Sequence, residues 1–164
     1  MKFFPVLSGL LVQLERWASR ALVVGFVGLI VTNVGLRYIV GRPLIYAEEL
    51  AAILLVWLAL VAVSISIHDK AQIGVTLLVE QLSKRMQRLL DVVVWALIAA
   101  MLALLLKAGL SWVLSPVVAF EQVITTGWPK MPFFTIIPVF SACALIHALA
   151  HLTTAIVALR GPKS

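Results

Sequence analysis

His147 and His151 stand four residues apart, so a helix carrying them presents both imidazoles on one face. Facing histidines can hold a haem iron when each of two helices offers one imidazole at matching depth. The third histidine, His68, sits beside Asp69 and Lys70 at the end of an apolar run, too near an interface to face the pair. Packing or interfacial roles are therefore the default for the histidines, with haem ligation by His147 or His151 as an alternative. Arg37 followed by Glu48 and Glu49 offers a second chemistry, that of ion pairs at the end of two apolar runs. The three side chains suit a local ion pair with carboxylates at a helix N-terminus, and equally a polar anchor for another subunit. Lys107 is the single charge in its apolar run. It either snorkels to the outer interface or meets a buried partner or substrate.

Composition decides what elements hold these groups. Of 164 residues, 63% are hydrophobic and 12% charged, with a mean hydropathy of +1.11. An ordinary globular domain is ~45–50% apolar, and a small one has too little interior to hide this excess. Lipid must cover the remainder, so the fold class is all-α and integral to the membrane. The net charge of +6 points to a membrane surface rather than nucleic acid, because the basic residues cluster at the ends of apolar runs. Cys143, the lone cysteine, lies within an apolar run and reads as a small packing residue. A phosphate-cradling glycine loop, a nucleophile elbow and metal-ligand spacing are all missing from the sequence. The chain is expected to be no enzyme and to carry no cofactor of its own.

A bilayer core asks for ~20 apolar residues per helical crossing. Four runs meet that demand, at about 18–40, 46–67, 92–115 and 133–159, forming a single membrane domain over 1–164. Before the first, Phe3, Leu7, Leu10, Leu14 and Trp17 make an apolar stripe of an amphipathic lead-in. Gln13, Glu15 and Arg16 interrupt that stretch, so it is expected to be retained rather than cleaved as a signal peptide. Gly41-Arg42-Pro43 ends the first run and Pro116 the third. Pro138 predicts a kink near the start of the fourth. Residues 71–90 read as an amphipathic interfacial helix: Val75, Leu78, Val79, Leu82, Met86 and Leu89 share one side, while Lys84, Arg85 and Arg88 offer charge to lipid headgroups.

Intramembrane charges cost ~2.5–3.5 kcal/mol each on insertion scales, so Arg37 and Lys107 need a reason to be there. Trp57 lies mid-run, where a large aromatic packs against protein or lipid more often than it binds a cofactor. Lysines and arginines favour one side of the membrane by nine to four when Lys107 is counted outward. That bias places both termini in the cytoplasm.

The stretch Asn33-Val34-Gly35-Leu36-Arg37-Tyr38, then Gly41-Arg42-Pro43, Tyr46-Ala47-Glu48-Glu49-Leu50 and Val56-Trp57-Leu58, resembles the small membrane subunit, DctQ type, of TRAP (tripartite ATP-independent periplasmic) transporters. Ser66-Ile67-His68-Asp69-Lys70 and the residues that follow are similar as well. The family often shows tryptophan before the paired glutamates, where this chain has Tyr46-Ala47. The resemblance implies a non-catalytic helper in a bacterial inner membrane. Its implied partners are a large membrane subunit holding the substrate and sodium sites, a periplasmic binding protein that delivers an organic acid such as a dicarboxylate or sialic acid, and membrane lipids. On that view Arg37, Glu48, Glu49, Trp57 and His68 are subunit-interface or structural polar anchors. A self-contained small oligomeric carrier or channel is the alternative, with Lys107 or the glutamate pair lining a pore. A haem-bearing electron-transfer subunit is a third class.

Overall fold

The computed structural model describes residues 3–70 and 83–160. Within them the chain is helical apart from turns and one isolated bridge between Gln122 and Pro129. Helix α1 spans Phe3–Gly35 and widens into a π turn over Leu36–Val40. The lead-in and the first span, read separately in the sequence, are thus one continuous helix. Its 33 α-helical residues rise ~50 Å, well beyond a ~30 Å hydrocarbon core. Gly41 stops it with φ 72°, a left-handed conformation that glycine adopts without steric cost, and its N–H bonds back to the Leu36 carbonyl.

Helix α2, Ala47–His68, begins with Glu48 and Glu49 in its first turn, where carboxylates meet the positive end of the helix dipole. At 22 residues it rises ~33 Å, close to the hydrocarbon thickness. Helix α3 runs unbroken over Lys84–Val113, capped by the Ser83 hydroxyl, which accepts the Met86 N–H at 3.4 Å. The helix therefore begins before the crossing expected from Val92. Met86, Leu89, Lys84, Arg85 and Arg88 belong to the first turns of α3, because nothing between Lys84 and Val92 breaks a helix. Residues 71–82, the rest of the expected interfacial helix, lie outside the described residues.

After α3 come a short helix α4, Pro116–Phe120, a turn closed at Gly127 (φ 70°), and one helical turn α5, Met131–Phe134. Helix α6, Ile136–Arg160, completes the order. The break expected at Pro138 falls at Thr135 instead. Proline in the first turn of α6 withholds an N–H that would have no intrahelical partner there, so it marks a start rather than a kink.

Four stretches, Phe3–Val40, Ala47–His68, Lys84–Val113 and Met131–Leu159, are long and apolar enough to cross a bilayer. Helix α6 is the axis of the bundle: α3 packs along it on one side, α1 and α2 on the other. Small residues make this close approach work. Ala144 and Ala148 are fully buried beside Trp95, Ala99, Leu102 and Phe140. Gly109 on α3 faces α6 so closely that an added Cβ would stand 3.0 Å from the Ile137 side chain.

The apolar stripe of α1 does not form its inward side. Phe3, Leu10, Leu14 and Trp17, members of the apolar stripe, are each more than 60% exposed, while Ser8, Val12 and Glu15 are buried. The cause is the solvent. Apolar side chains lose little by facing lipid, whereas a carboxylate or hydroxyl inside the membrane gains most by turning toward partners on neighbouring helices.

Candidate functional site: polar ties at the two ends of the bundle

At the end of the bundle where α2 closes with His68, Glu15 of α1 is the centre of a buried network. Its Oε1 accepts the Ser64 hydroxyl of α2 at 2.6 Å, and its Oε2 lies 2.9 Å from Nε2 of His147 on α6. The other ring nitrogen, Nδ1, is 2.6 Å from the Ser8 hydroxyl, two turns earlier on α1. Nε2–H donating to the carboxylate and Ser8 O–H donating to Nδ1 satisfies all four residues at once. His147 and Ser64 have no exposed surface. The connectivity is that of a serine–histidine–carboxylate relay, but Ser8 is 3% exposed and packed between helices. The arrangement fastens α1, α2 and α6 together and leaves a substrate no approach to Ser8.

One turn further along α6, His151 Nε2–H donates to the His68 carbonyl at 2.9 Å, which covers an end carbonyl of α2. The Trp95 ring of α3 lies against the His151 ring with centroids 4.4 Å apart. His68 donates through Nδ1 to Asp69 at 2.9 Å, and Arg16 of α1 reaches both Asp69 oxygens at 2.9 and 3.0 Å. The His68 hydrogen bond, opposed by partial burial and joined by the Arg16 charge, holds the Asp69 carboxyl below its ordinary value.

At the opposite end, Asn33 of α1 is buried, and its Oδ1 accepts the Leu44 N–H at 2.8 Å, fixing the turn between α1 and α2. Arg37 pairs with Glu48 at 3.1 Å across that turn, in an exposed setting. Glu49 reaches the other way. Its carboxylate accepts the backbone N–H groups of Ile124 and Thr125 at 3.2 and 3.1 Å and the Thr125 hydroxyl at 2.9 Å. Below it, Trp57 Nε1–H donates to the Phe133 carbonyl at 2.9 Å. Helix α2 therefore grips the segment between α3 and α6 at two heights. An open apolar groove of about 510 Å³ runs between α1, α2 and α6, past Gly25, Trp57 and Phe140, with Glu15 and Ser64 at one end.

Residues 26–158, most of the chain, match the family described as tripartite ATP-independent periplasmic transporters, DctQ component. The chain belongs to that family. It is also 21% identical over 98 residues to the sialic acid TRAP transporter permease protein SiaT of Haemophilus influenzae (strain 86-028NP). That alignment covers 60% of this chain and 16% of the relative, so the chain corresponds to a small part of the longer permease.

In this DctQ component the residues singled out in the sequence fall into separate groups. Arg37 and Glu48 come together, whereas Glu49 turns to the Ile124–Thr125 segment and His68 to Asp69. Trp57 acts through its indole N–H at Phe133. Lys84 and Arg85 are exposed in the first turn of α3, and Arg88 donates to the Ala158 carbonyl of α6 at 3.3 Å. Both ring nitrogens of His147 are engaged, by Ser8 and by Glu15. Sequence reasoning treated Glu15 merely as an interruption and passed over Ser8, Ser64, Asn33 and Thr125. The available signal was the spacing of Ser8, Val12 and Glu15 at i, i+4 and i+7, one face of a helix whose opposite face is apolar.

Proposed function

We propose that this chain is the non-catalytic small membrane subunit of a sodium-coupled, binding-protein-dependent transporter for organic acids, packing against a large transport subunit and enlarging its scaffold. The observation that carries the reading is how the polar groups of the spans are used. Glu15, Asn33, Glu49, Ser64, His147 and His151 are bonded to other parts of the same bundle. A carrier that bound solute by itself would hold such groups open at mid-membrane, commonly beside broken helices. Here they join helices, and broad apolar faces are left for lipid and a partner.

Membership of the DctQ family and similarity to a sialic acid permease support the organic-acid reading. On it, sodium and solute sites reside in the large subunit, and a periplasmic binding protein delivers the solute. The excess of lysine and arginine at the inner end supports a bacterial inner-membrane location with both termini in the cytoplasm.

Co-expression tests the proposal. A tagged form of this chain is expected to bring down a large polytopic membrane protein encoded in the same genome, in stoichiometric amount. Purification as a homogeneous assembly of itself that carries solute into liposomes would overturn it.

A further inference from the structure

Lys107 makes no hydrogen bond or ion pair among the described residues, and its side chain is exposed on α3. Two cross-bundle contacts fix its height. Trp95, twelve residues earlier on α3, lies against His151, which bonds the carbonyl of His68 at the inner end of α2. Trp112, five residues later, stacks on Phe134 at 4.7 Å, next to Phe133, which accepts from Trp57 at the middle of α2. Lys107 thus sits ~18 Å above the first rung and ~8 Å below the second along the α3 axis, inside the slab that α2 spans. From there a four-carbon stem does not bring the ammonium to the inner surface, and toward the outer one the end of α2 lies ~7 Å above the second rung and ~15 Å above Lys107. A cation held at that depth requires a counter-charge.

The surface around it has a definite form. Ala96, Ala100, Ala103, Lys107 and Ser111 follow one another at steps of three and four, and all five are exposed. Helix α3 packs on α6 with its opposite side, through Trp95, Ala99, Leu102 and Gly109. Among the described residues the Lys107 side is therefore unpartnered, flat at its alanines, and positive at one point.

Resting on the reading of the chain as a small transporter subunit, we propose that this side of α3 seats a membrane helix of the large subunit that presents an aspartate or glutamate to Lys107. The charge selects the partner chemistry, since an uncharged helix would leave the ammonium uncompensated. The alanines let the partner's backbone approach closely.

The test is made on the complex co-expressed and isolated in native membranes. A benzophenone amino acid in place of Ala100 or Ala103 is expected to cross-link to the large subunit on illumination. Lys107→Glu should lower recovery of the complex by about tenfold while Lys107→Arg retains it. Cross-linking to lipid alone, or full recovery of the complex with Lys107→Glu, overturns the proposal while leaving the subunit reading intact. If the unmodified chain brings down no large subunit, both fall together.

Discussion

Nε2 of His147 lies 2.9 Å from Oε2 of Glu15, although 132 residues separate them in the chain. The pair joins the first helix to the last, and Ser8 and Ser64 complete it from either side. Removing one partner of a buried hydrogen bond leaves the other unsatisfied, at a cost of about 1–3 kcal/mol in soluble proteins, while hydrogen bonds between membrane helices average ~0.6 kcal/mol. The carboxylate, with two partners, is expected to matter more than either hydroxyl. Thermal unfolding in detergent should show Glu15→Ala destabilised by about 2 kcal/mol or more, with Ser8→Ala and Ser64→Ala each near 1 kcal/mol. Glu15→Gln, which keeps two acceptor positions on one oxygen, should fall between them. Equal stability for Glu15→Ala and the parent would show that the network does not hold α1.

At the start of α2, the neighbouring glutamates are expected to differ. Glu48 makes an exposed pair with Arg37, and such pairs contribute about 0–1 kcal/mol. Glu49 closes three hydrogen bonds on the Ile124–Thr125 segment. Amide hydrogen exchange at Ile124 and Thr125 should speed up markedly in Glu49→Ala and hardly change in Glu48→Ala. Matching exchange rates in the two variants would contradict this division of roles.

Asp69 provides a pH dependence of known sign. Its carboxyl is held below the ordinary value by His68, and further by Arg16, against partial burial. A depressed folded-state value means that its contribution to stability is fully present above the unfolded value of ~3.9 and is lost as pH falls through the folded one. With the side chain 40% exposed, solvent screens the pair and the effect is small. Stability measured from pH 6 downward should decline less steeply below pH ~4 in Asp69→Asn than in the parent. A steeper decline in the variant would reverse the assigned sign.

Gly109 tests the packing of α3 on α6. An added Cβ would meet the Ile137 methyl at 3.0 Å and the Pro138 backbone nitrogen at 3.7 Å, so a modest shift of Ile137 can admit an alanine. A branched side chain needs the helices themselves to part, and overpacking costs typically ~1–3 kcal/mol. Gly109→Val should therefore lose that much stability, and Gly109→Ala clearly less. Indifference to valine would mean that the helices are not in close contact there.

Much of the architecture was legible because punctuation and hydropathy are local. Gly41-Arg42-Pro43 and Ser115-Pro116 mark helix ends in the structure as they do in the sequence, and the four apolar runs became four spanning helices. The ties between helices were not legible, for two physical reasons. Partners such as Glu15 with His147, or Glu49 with Thr125, lie 132 and 76 residues apart, and no local pattern joins them. An apolar stripe also fails to say which side of a helix turns inward when lipid is the solvent: the stripe of α1 faces outward while Ser8 and Glu15 occupy the interior. The third span was placed from Val92 because charges at Lys84, Arg85 and Arg88 looked like an interface. Charge does not stop a helix, and α3 begins at Lys84.

Solute uptake in proteoliposomes tests the central claim most directly. Vesicles are prepared with the large subunit and this chain together, with the large subunit alone, and with this chain alone, each supplied with the binding protein and a sodium gradient. Accumulation in the first preparation, with none from this chain by itself, is the expected result. Uptake by vesicles containing this chain alone would contradict it.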